Sequence, residues 1–164
     1  MASEAMTSAQ PAPAALARLV ALGIPSALLG GAYLSEFAGG LHPCEMCYWQ
    51  RWPHFAAIAF AGLAFLFAAP SRNARLLTAL AAIAIAVSGA IGVFHAGVEY
   101  GWWEGLTRCS TGGAMTLDEL MNVPLIRCDQ VQFSFLSVSM AGWNAILSLG
   151  SAVIIGLLLR RKSA

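Results

Sequence analysis

The fold of this chain is decided by residues 76–97, LLTALAAIAIAVSGAIGVFHAG, which contain no charged side chain. A helix needs about 20 apolar residues to cross a bilayer. Four runs approach or reach this length, and we expect each to span the membrane: 16–37, 47–69, 76–97 and 138–159. Because a helix satisfies its own backbone hydrogen bonds in lipid, the sequence predicts an all-α, polytopic membrane protein built as a four-helix transmembrane bundle.

The composition supports a membrane protein over a soluble one. Of the 164 residues, 59% are hydrophobic and only 10% are charged. Soluble domains carry about a quarter charged residues. The net charge of +1 gives no indication of a nucleic-acid partner.

The distribution of basic residues predicts the orientation. One set of helix ends is flanked by Arg18, Arg72, Arg75, Arg160, Arg161 and Lys162. Positively charged flanks stay in the cytoplasm, so both termini are expected there and all four cysteines outside. The five tryptophans lie near the same outer ends, as in an aromatic belt.

These patterns divide the chain into three parts. Residues 1–15 are predicted to be a disordered cytoplasmic tail, 16–160 the transmembrane domain, and 161–164 a second cytoplasmic tail. The outer loops are expected at about 38–46 and 98–137. The longer loop contains Thr116-Leu117-Asp118-Glu119, a capping-box pattern that predicts a short helix lying on the membrane surface. A solvated loop with a chance capping pattern remains an alternative.

The cysteines indicate redox chemistry. Cys44-Glu45-Met46-Cys47 has the C-x-x-C spacing of an easily reduced disulfide, and Cys109 and Cys128 lie in the long outer loop. Purely structural disulfides remain an alternative. A zinc site is less favoured because the second pair lacks C-x-x-C spacing, and we expect no metal. A c-type haem would need His after the second cysteine, where Tyr48 stands.

Three polar residues near this motif are candidate ligand contacts. Pro43 favours a helix start, which would place both thiols of the motif in the first helical turn. Arg51, four residues after Cys47, then shares its face and could bind a carbonyl oxygen, with Gln50 contributing more weakly. The alternative for Arg51 is interfacial snorkelling. His95 is either a ligand contact or an interfacial partner of Glu99.

The remaining polar and small residues predict packing. His42 is expected in solvent and His54 in interfacial packing. Close helix approach is expected where small residues interrupt the apolar runs, at Gly30, Gly31, Ser88, Gly89 and Gly92.

From about residue 16 onward the chain resembles the DsbB family of membrane quinone reductases that reoxidise DsbA. The resemblance rests on four helices and on Cys44-x-x-Cys47 followed by Gln50-Arg51, with Cys109 and Cys128 in a long outer loop. It implies a protein-dithiol:quinone oxidoreductase in the bacterial inner membrane. Its cofactor would be ubiquinone or menaquinone, and its partner a DsbA-like soluble thiol oxidase.

The resemblance also implies a role for each residue. Cys44 and Cys47 would form the membrane-proximal disulfide, with Cys47 and Arg51 beside the quinone. Cys109 would form the mixed disulfide with the partner and Cys128 would pair with Cys109. His95 falls near the position of the family's quinone-site histidine. Gln50 stands where some members carry an acidic residue.

Two other classes remain. The vitamin K epoxide reductase family is also helical and quinone-linked, but there the loop pair precedes the redox motif. A non-enzymatic membrane subunit braced by disulfides is the second. The sequence does not indicate an oligomeric state.

Overall fold

The computed structural model describes residues 13–69, 71–105 and 127–161, and these residues confirm the all-α prediction. The only strands among them form a two-residue antiparallel ribbon immediately before the last helix. The elements are α1 (Pro13–Phe37), α2 (Glu45–Ala64), α3 (Arg72–Glu99), β1 (Ser134–Phe135), β2 (Val138–Ser139) and α4 (Met140–Arg160).

The helices pack as a bundle in which α3 contacts both α2 and α4, while α1 lies against α2 and α4. Arg18, near the start of α1, donates to the carbonyls of Ala64, the last residue of α2, and of Phe67 just beyond it. The two helices therefore run in opposite directions. The core between the helices is built from small side chains with a few larger ones: Ala17, Ala21, Ala57, Ala61, Ala81, Ile85 and Ile155.

Three of the helices, α1, α3 and α4, are long and apolar enough to cross a membrane. The second helix falls short of that criterion in the described structure. It carries the polar side chains Gln50, Arg51 and His54, all buried inside the bundle. A membrane span at α2, which would be the fourth of the bundle, therefore stays a prediction. The predicted surface helix at Thr116–Glu119 lies outside the described residues.

The helix ends differ from the predicted ends by a few residues. The first helix begins at Pro13 rather than at residue 16, since proline is tolerated in a first helical turn. The second ends at Ala64, short of the predicted 69. The fourth begins at Met140 because the Ser139 hydroxyl caps it, accepting from the Gly142 N–H at 3.1 Å.

Small residues bring α3 close to α4. A Cβ added at Gly89 would lie 2.8 Å from Leu149 Cγ, and one at Gly92 would lie 3.0 Å from the Ala141 carbonyl oxygen. The close-packing prediction is confirmed at these two glycines. It is wrong at Gly30 and Gly31, where an added Cβ would meet nothing within 4 Å: Gly30 is exposed, and Gly31 borders a cavity rather than a neighbouring helix.

Candidate active site

The C-x-x-C motif forms the start of α2, as its sequence predicts. Cys44 is the N-cap residue, and its Sγ accepts a hydrogen bond from the Cys47 N–H at 3.3 Å. The two Sγ atoms lie 3.0 Å apart. The neighbouring Cys47 sulfur and burial raise the pKa of the Cys44 thiol. These two effects favour the protonated form of the Cys44 thiol.

His95 approaches this pair from α3. Its Nε2 lies 3.5 Å from Cys44 Sγ and 3.7 Å from Glu99 Oε1, and the residue is only 2% exposed. The expected partnership with Glu99 therefore finds its contact, and the ligand-contact interpretation of His95 stays a prediction. The histidine is not an interfacial group, because it is enclosed between the thiols and the carboxylate.

The loop cysteine Cys128 lies against the motif. It packs with Cys44, Met46 and Val98 in one buried cluster and is itself 6% exposed. Cys109 lies outside the described residues, so the expected Cys109–Cys128 pairing stays a prediction. The burial of Cys128 and Cys44 in one cluster suits thiol–disulfide exchange between the loop and the motif, because exchange needs the sulfurs to approach each other.

Arg51 is held by three neighbours. Its Nη1 donates to Glu36 Oε2 at 2.6 Å, and its Cζ lies 4.7 Å from the Tyr33 ring centroid and 5.0 Å from that of Tyr48. The residue is 7% exposed. A buried guanidinium paired with a carboxylate and stacked between two rings is preorganised, whereas a snorkelling arginine would extend toward water.

A buried hydrogen-bond network extends from Gln50 into the bundle. Asn144 Nδ2 donates to Gln50 Oε1 at 2.7 Å, and Gln50 Nε2 lies 2.8 Å from His95 Nδ1. His54 Nε2 lies 2.9 Å from Asn144 Oδ1 and 3.0 Å from Ser88 Oγ. The interfacial-packing prediction for His54 is therefore wrong: its polar partners lie across the bundle, and it is 3% exposed. His42 is exposed, as predicted.

These groups meet at a cavity of about 610 Å³. Ligand sites for small molecules typically measure about 300 to 1,000 Å³ and combine apolar walls with a few polar groups. The apolar wall is supplied mainly by α1 and α4, including Leu28, Leu29, Ala32, Met140 and Trp143. The polar lining consists of Ser35, His42, Cys44, Cys47, Gln50, Arg51, His54, His95, Glu99, Asn144 and the loop residues Arg127, Gln130 and Gln132.

The ligand atoms of Cys44, Cys47 and His95 lie within 4.8 Å of one another, which is a spacing that a metal ion could use. A structural zinc site would require a fourth ligand, and the described residues provide no fourth member of this group. The expectation that the site holds no metal stays a prediction.

Sequence reasoning missed Glu36 and Asn144 and assigned Ser88 only to packing. Each is a polar or ionisable residue within or at the end of an apolar run, and such residues are rare in lipid unless they have partners. The polar residues themselves are visible in the sequence, but the sequence does not show which residue each of them contacts.

Comparison with known proteins agrees with the geometry. The family model for disulfide bond formation protein DsbB matches residues 14–158. A disulfide bond formation protein B of Polaromonas naphthalenivorans (strain CJ2) is 30% identical over 165 residues, covering 92% of this chain and 96% of that protein. An uncharacterized protein of Rickettsia prowazekii (strain Madrid E) is 23% identical over 149 residues, covering 86% of this chain and 85% of that protein. No solved structure matches significantly. The chain therefore belongs to the DsbB family of membrane oxidoreductases of disulfide bond formation.

Proposed function

We propose that this protein reoxidises a DsbA-like soluble dithiol protein and passes the electrons to a membrane quinone. One observation carries the proposal. Cys47 lines the same 610 Å³ cavity as the buried Arg51 guanidinium. A thiolate and a fixed positive charge facing one apolar cavity form a site suited to reducing a lipid-soluble carbonyl compound.

The first exchange takes place in the outer loop, 98–137. A thiolate of the reduced partner attacks Cys109, a bond to the partner forms, the Cys109–Cys128 bond breaks, and Cys128 leaves as a thiolate. The partner's second thiol then attacks the mixed disulfide. The partner leaves oxidised, and the loop pair has gained two electrons.

The second exchange moves these electrons to the C-x-x-C motif. The Cys128 thiolate attacks Cys44, a Cys44–Cys128 bond forms, and Cys47 leaves as a thiolate. The burial of Cys128 against Cys44 supports this route. Cys109 then attacks Cys128, the loop disulfide forms again, and the electron pair of the broken bond remains on Cys44.

The residues around the cavity suit a quinone. Arg51 offers a hydrogen-bond donor and a positive charge to a carbonyl oxygen, and the apolar wall from α1 and α4 suits an aromatic ring and lipid tail. When bound, a quinone accepts two electrons and two protons. A DsbA-like couple stands at about −120 mV, so its oxidation requires an acceptor of higher potential, which a membrane quinone provides.

This activity implies a location in the bacterial inner membrane. In the proposed topology α2 is the fourth span, both termini are cytoplasmic and the cysteines face the periplasm. The apolar helices α1, α3 and α4 support membrane insertion, and burial of the polar groups of α2 within the bundle is compatible with a fourth span.

Cys47→Ser provides the direct test. The variant is expected to lose reduction of a short-chain quinone by reduced DsbA-like protein, followed by quinone absorbance, because Cys44 alone cannot alternate between a dithiol and a disulfide. It should still form a Cys109-linked adduct with the partner, visible on non-reducing gels. Ser26→Ala is a matched control, since that hydroxyl donates only to the Leu22 carbonyl of its own helix.

Full quinone turnover by Cys47→Ser would remove Cys47 from the assigned role. A protein whose disulfides only brace its loops gives a different result. Its count of free thiols would not change when the reduced partner or quinone is added to the purified protein.

A further inference from the structure

The side-chain amide of Gln50 determines which nitrogen of His95 carries the proton. Gln50 Nε2 donates to the Met46 carbonyl oxygen at 3.1 Å, and this oxygen can only accept. The Met46 carbonyl therefore favours the nitrogen end of the amide on this side, and its second hydrogen faces His95 Nδ1 at 2.8 Å. Nδ1 must accept this bond, so neutral His95 carries its proton on Nε2.

Asn144 determines the orientation of Gln50. Asn144 Nδ2 lies 3.2 Å from the Ser88 carbonyl oxygen, so its amide direction is also fixed, and the same nitrogen donates to Gln50 Oε1 at 2.7 Å. At its other end, Asn144 Oδ1 accepts from the Ser148 hydroxyl at 2.9 Å. Without Asn144, Gln50 would lose the donor that holds its oxygen away from His95.

All the bonds of this chain donate in one direction, from Ser148 to Asn144, Gln50, His95 and finally Cys44. The last donor, His95 Nε2–H, lies 3.5 Å from Cys44 Sγ and 3.7 Å from Glu99 Oε1, and the His95 ring also hydrogen-bonds the Cys128 backbone. Ser148 and Cys44, the two ends, are 0% and 4% exposed. Hydrogen bonds aligned in a low-dielectric interior polarise one another, so this chain presents its positive end to one sulfur.

We infer that Asn144 is a positioning residue that holds His95, through Gln50, as a hydrogen-bond donor to the Cys44 sulfur. The inference rests on the proposed function for its kinetic consequence. When Cys109 attacks Cys128 of the Cys44–Cys128 disulfide, the Cys109–Cys128 bond forms and the electron pair of the broken bond goes to Cys44. Burial opposes a negative charge on Cys44, and the N–H of His95 offsets that cost while Cys44 leaves.

The tautomer can be measured without any substrate. The chain has three histidines, so nitrogen NMR of ¹⁵N-histidine-labelled protein in detergent can be assigned by replacing them singly. In the unmodified protein His95 is expected as one neutral tautomer protonated at Nε2. Gln50→Met, which keeps the length of the side chain but has no donor, is expected to give a mixture of tautomers.

Asn144→Leu is expected to give the same mixture, because Gln50 can then turn its oxygen toward His95. Gln50→Met tests the chain independently should Asn144→Leu not fold. Ser151→Ala is the matched control: it removes a buried hydroxyl of the same helix that donates only to the Ser148 carbonyl, at 3.0 Å. This control is expected to keep the unmodified tautomer and rate.

The kinetic arm follows release of Cys44 from the Cys44–Cys128 disulfide by acid quenching and mass mapping. Both tautomer variants are expected to slow this step in proportion to the fraction of His95 that still carries its proton on Nε2, about twofold for an equal mixture of tautomers. His95 protonated at Nδ1 in the unmodified protein, or an unchanged tautomer or rate in Gln50→Met, would overturn the inference. Absence of quinone turnover in the unmodified protein would overturn the proposed function instead. If His95 is then still protonated at Nε2 and Gln50→Met still gives the mixture of tautomers, the positioning role of Asn144 and Gln50 stands without the proposed function.

Discussion

Replacing Glu36 by Gln is expected to destabilise the folded protein by about 3 kcal/mol, because it leaves the Arg51 charge buried without a counter-charge. The side chains of Arg51 and Glu36 are 9% and 19% exposed, and their closest atoms are 2.6 Å apart. Removing one partner of a buried ion pair costs about 3–5 kcal/mol. The lower end applies here because Glu36 is partly exposed and the Tyr33 and Tyr48 rings still face the guanidinium.

A double-mutant cycle isolates the pair. Arg51→Met removes the charge but keeps much of the apolar side chain, and the double variant Glu36→Gln/Arg51→Met leaves no buried charge at this position. We expect the double variant to lose less stability than the sum of the single variants. The coupling should be about 1.5–3 kcal/mol, the value for a hydrogen bond to a charged group. Reversible unfolding in mixed micelles, followed by far-UV circular dichroism, measures all four proteins.

The loop ion pair of Arg127 and Asp129 is the matched control. It also joins an arginine to a carboxylate, but its side chains are 48% and 43% exposed. Arg127 holds the pKa of the Asp129 carboxyl below its usual range, yet water screens such a pair, so Asp129→Asn should cause no measurable loss of stability. Additive effects of Glu36→Gln and Arg51→Met, or a loss in Glu36→Gln no larger than in Asp129→Asn, would refute the buried-pair reasoning.

Two further predictions concern helix packing and thiol ionisation. Gly92→Ala should destabilise the bundle by about 1–3 kcal/mol, since its Cβ would lie 3.0 Å from the Ala141 carbonyl oxygen and 3.1 Å from the Ala145 nitrogen, both backbone atoms. Gly150→Ala, with open space around its Cβ, should be neutral in the same unfolding experiment, and equal stabilities of the two variants would contradict the packing. In the fully reduced protein, alkylation of Cys44 should keep accelerating above about pH 8.5, where an ordinary cysteine is half ionised, because Cys47 and burial hold its pKa higher. Mass spectrometry of the alkylated protein gives this rate, and a plateau near that pH would show that Cys44 ionises normally.

Much of the candidate site could be predicted from local sequence. The C-x-x-C motif after Pro43 predicts two thiols in a first helical turn, since backbone geometry relates residues three apart in any helix. The same rule places Arg51 one turn beyond Cys47, and both line the cavity. The apolar runs predict helices because residues 76–97 have no other way to satisfy their backbone in lipid.

The partners of these residues could not be predicted, because they are distant in sequence. Arg51 and Glu36 are 15 residues apart, Gln50 and His95 are 45 apart, and Gln50 and Asn144 are 94 apart. Each polar residue signals by itself that a partner is needed in an apolar setting. Which residue satisfies it depends on the rotation and depth of each helix against its neighbours.

By itself, the sequence determined that this chain forms apolar helices and that two thiols begin the second of them, because both follow from hydrophobicity and the helical repeat. Only the tertiary structure decided that Arg51 is buried against Glu36 and that His95 directs its N–H toward Cys44. The physical reason is that a charge or a proton takes its state from every group within hydrogen-bond distance. In a bundle, those groups come from helices that are far apart along the chain.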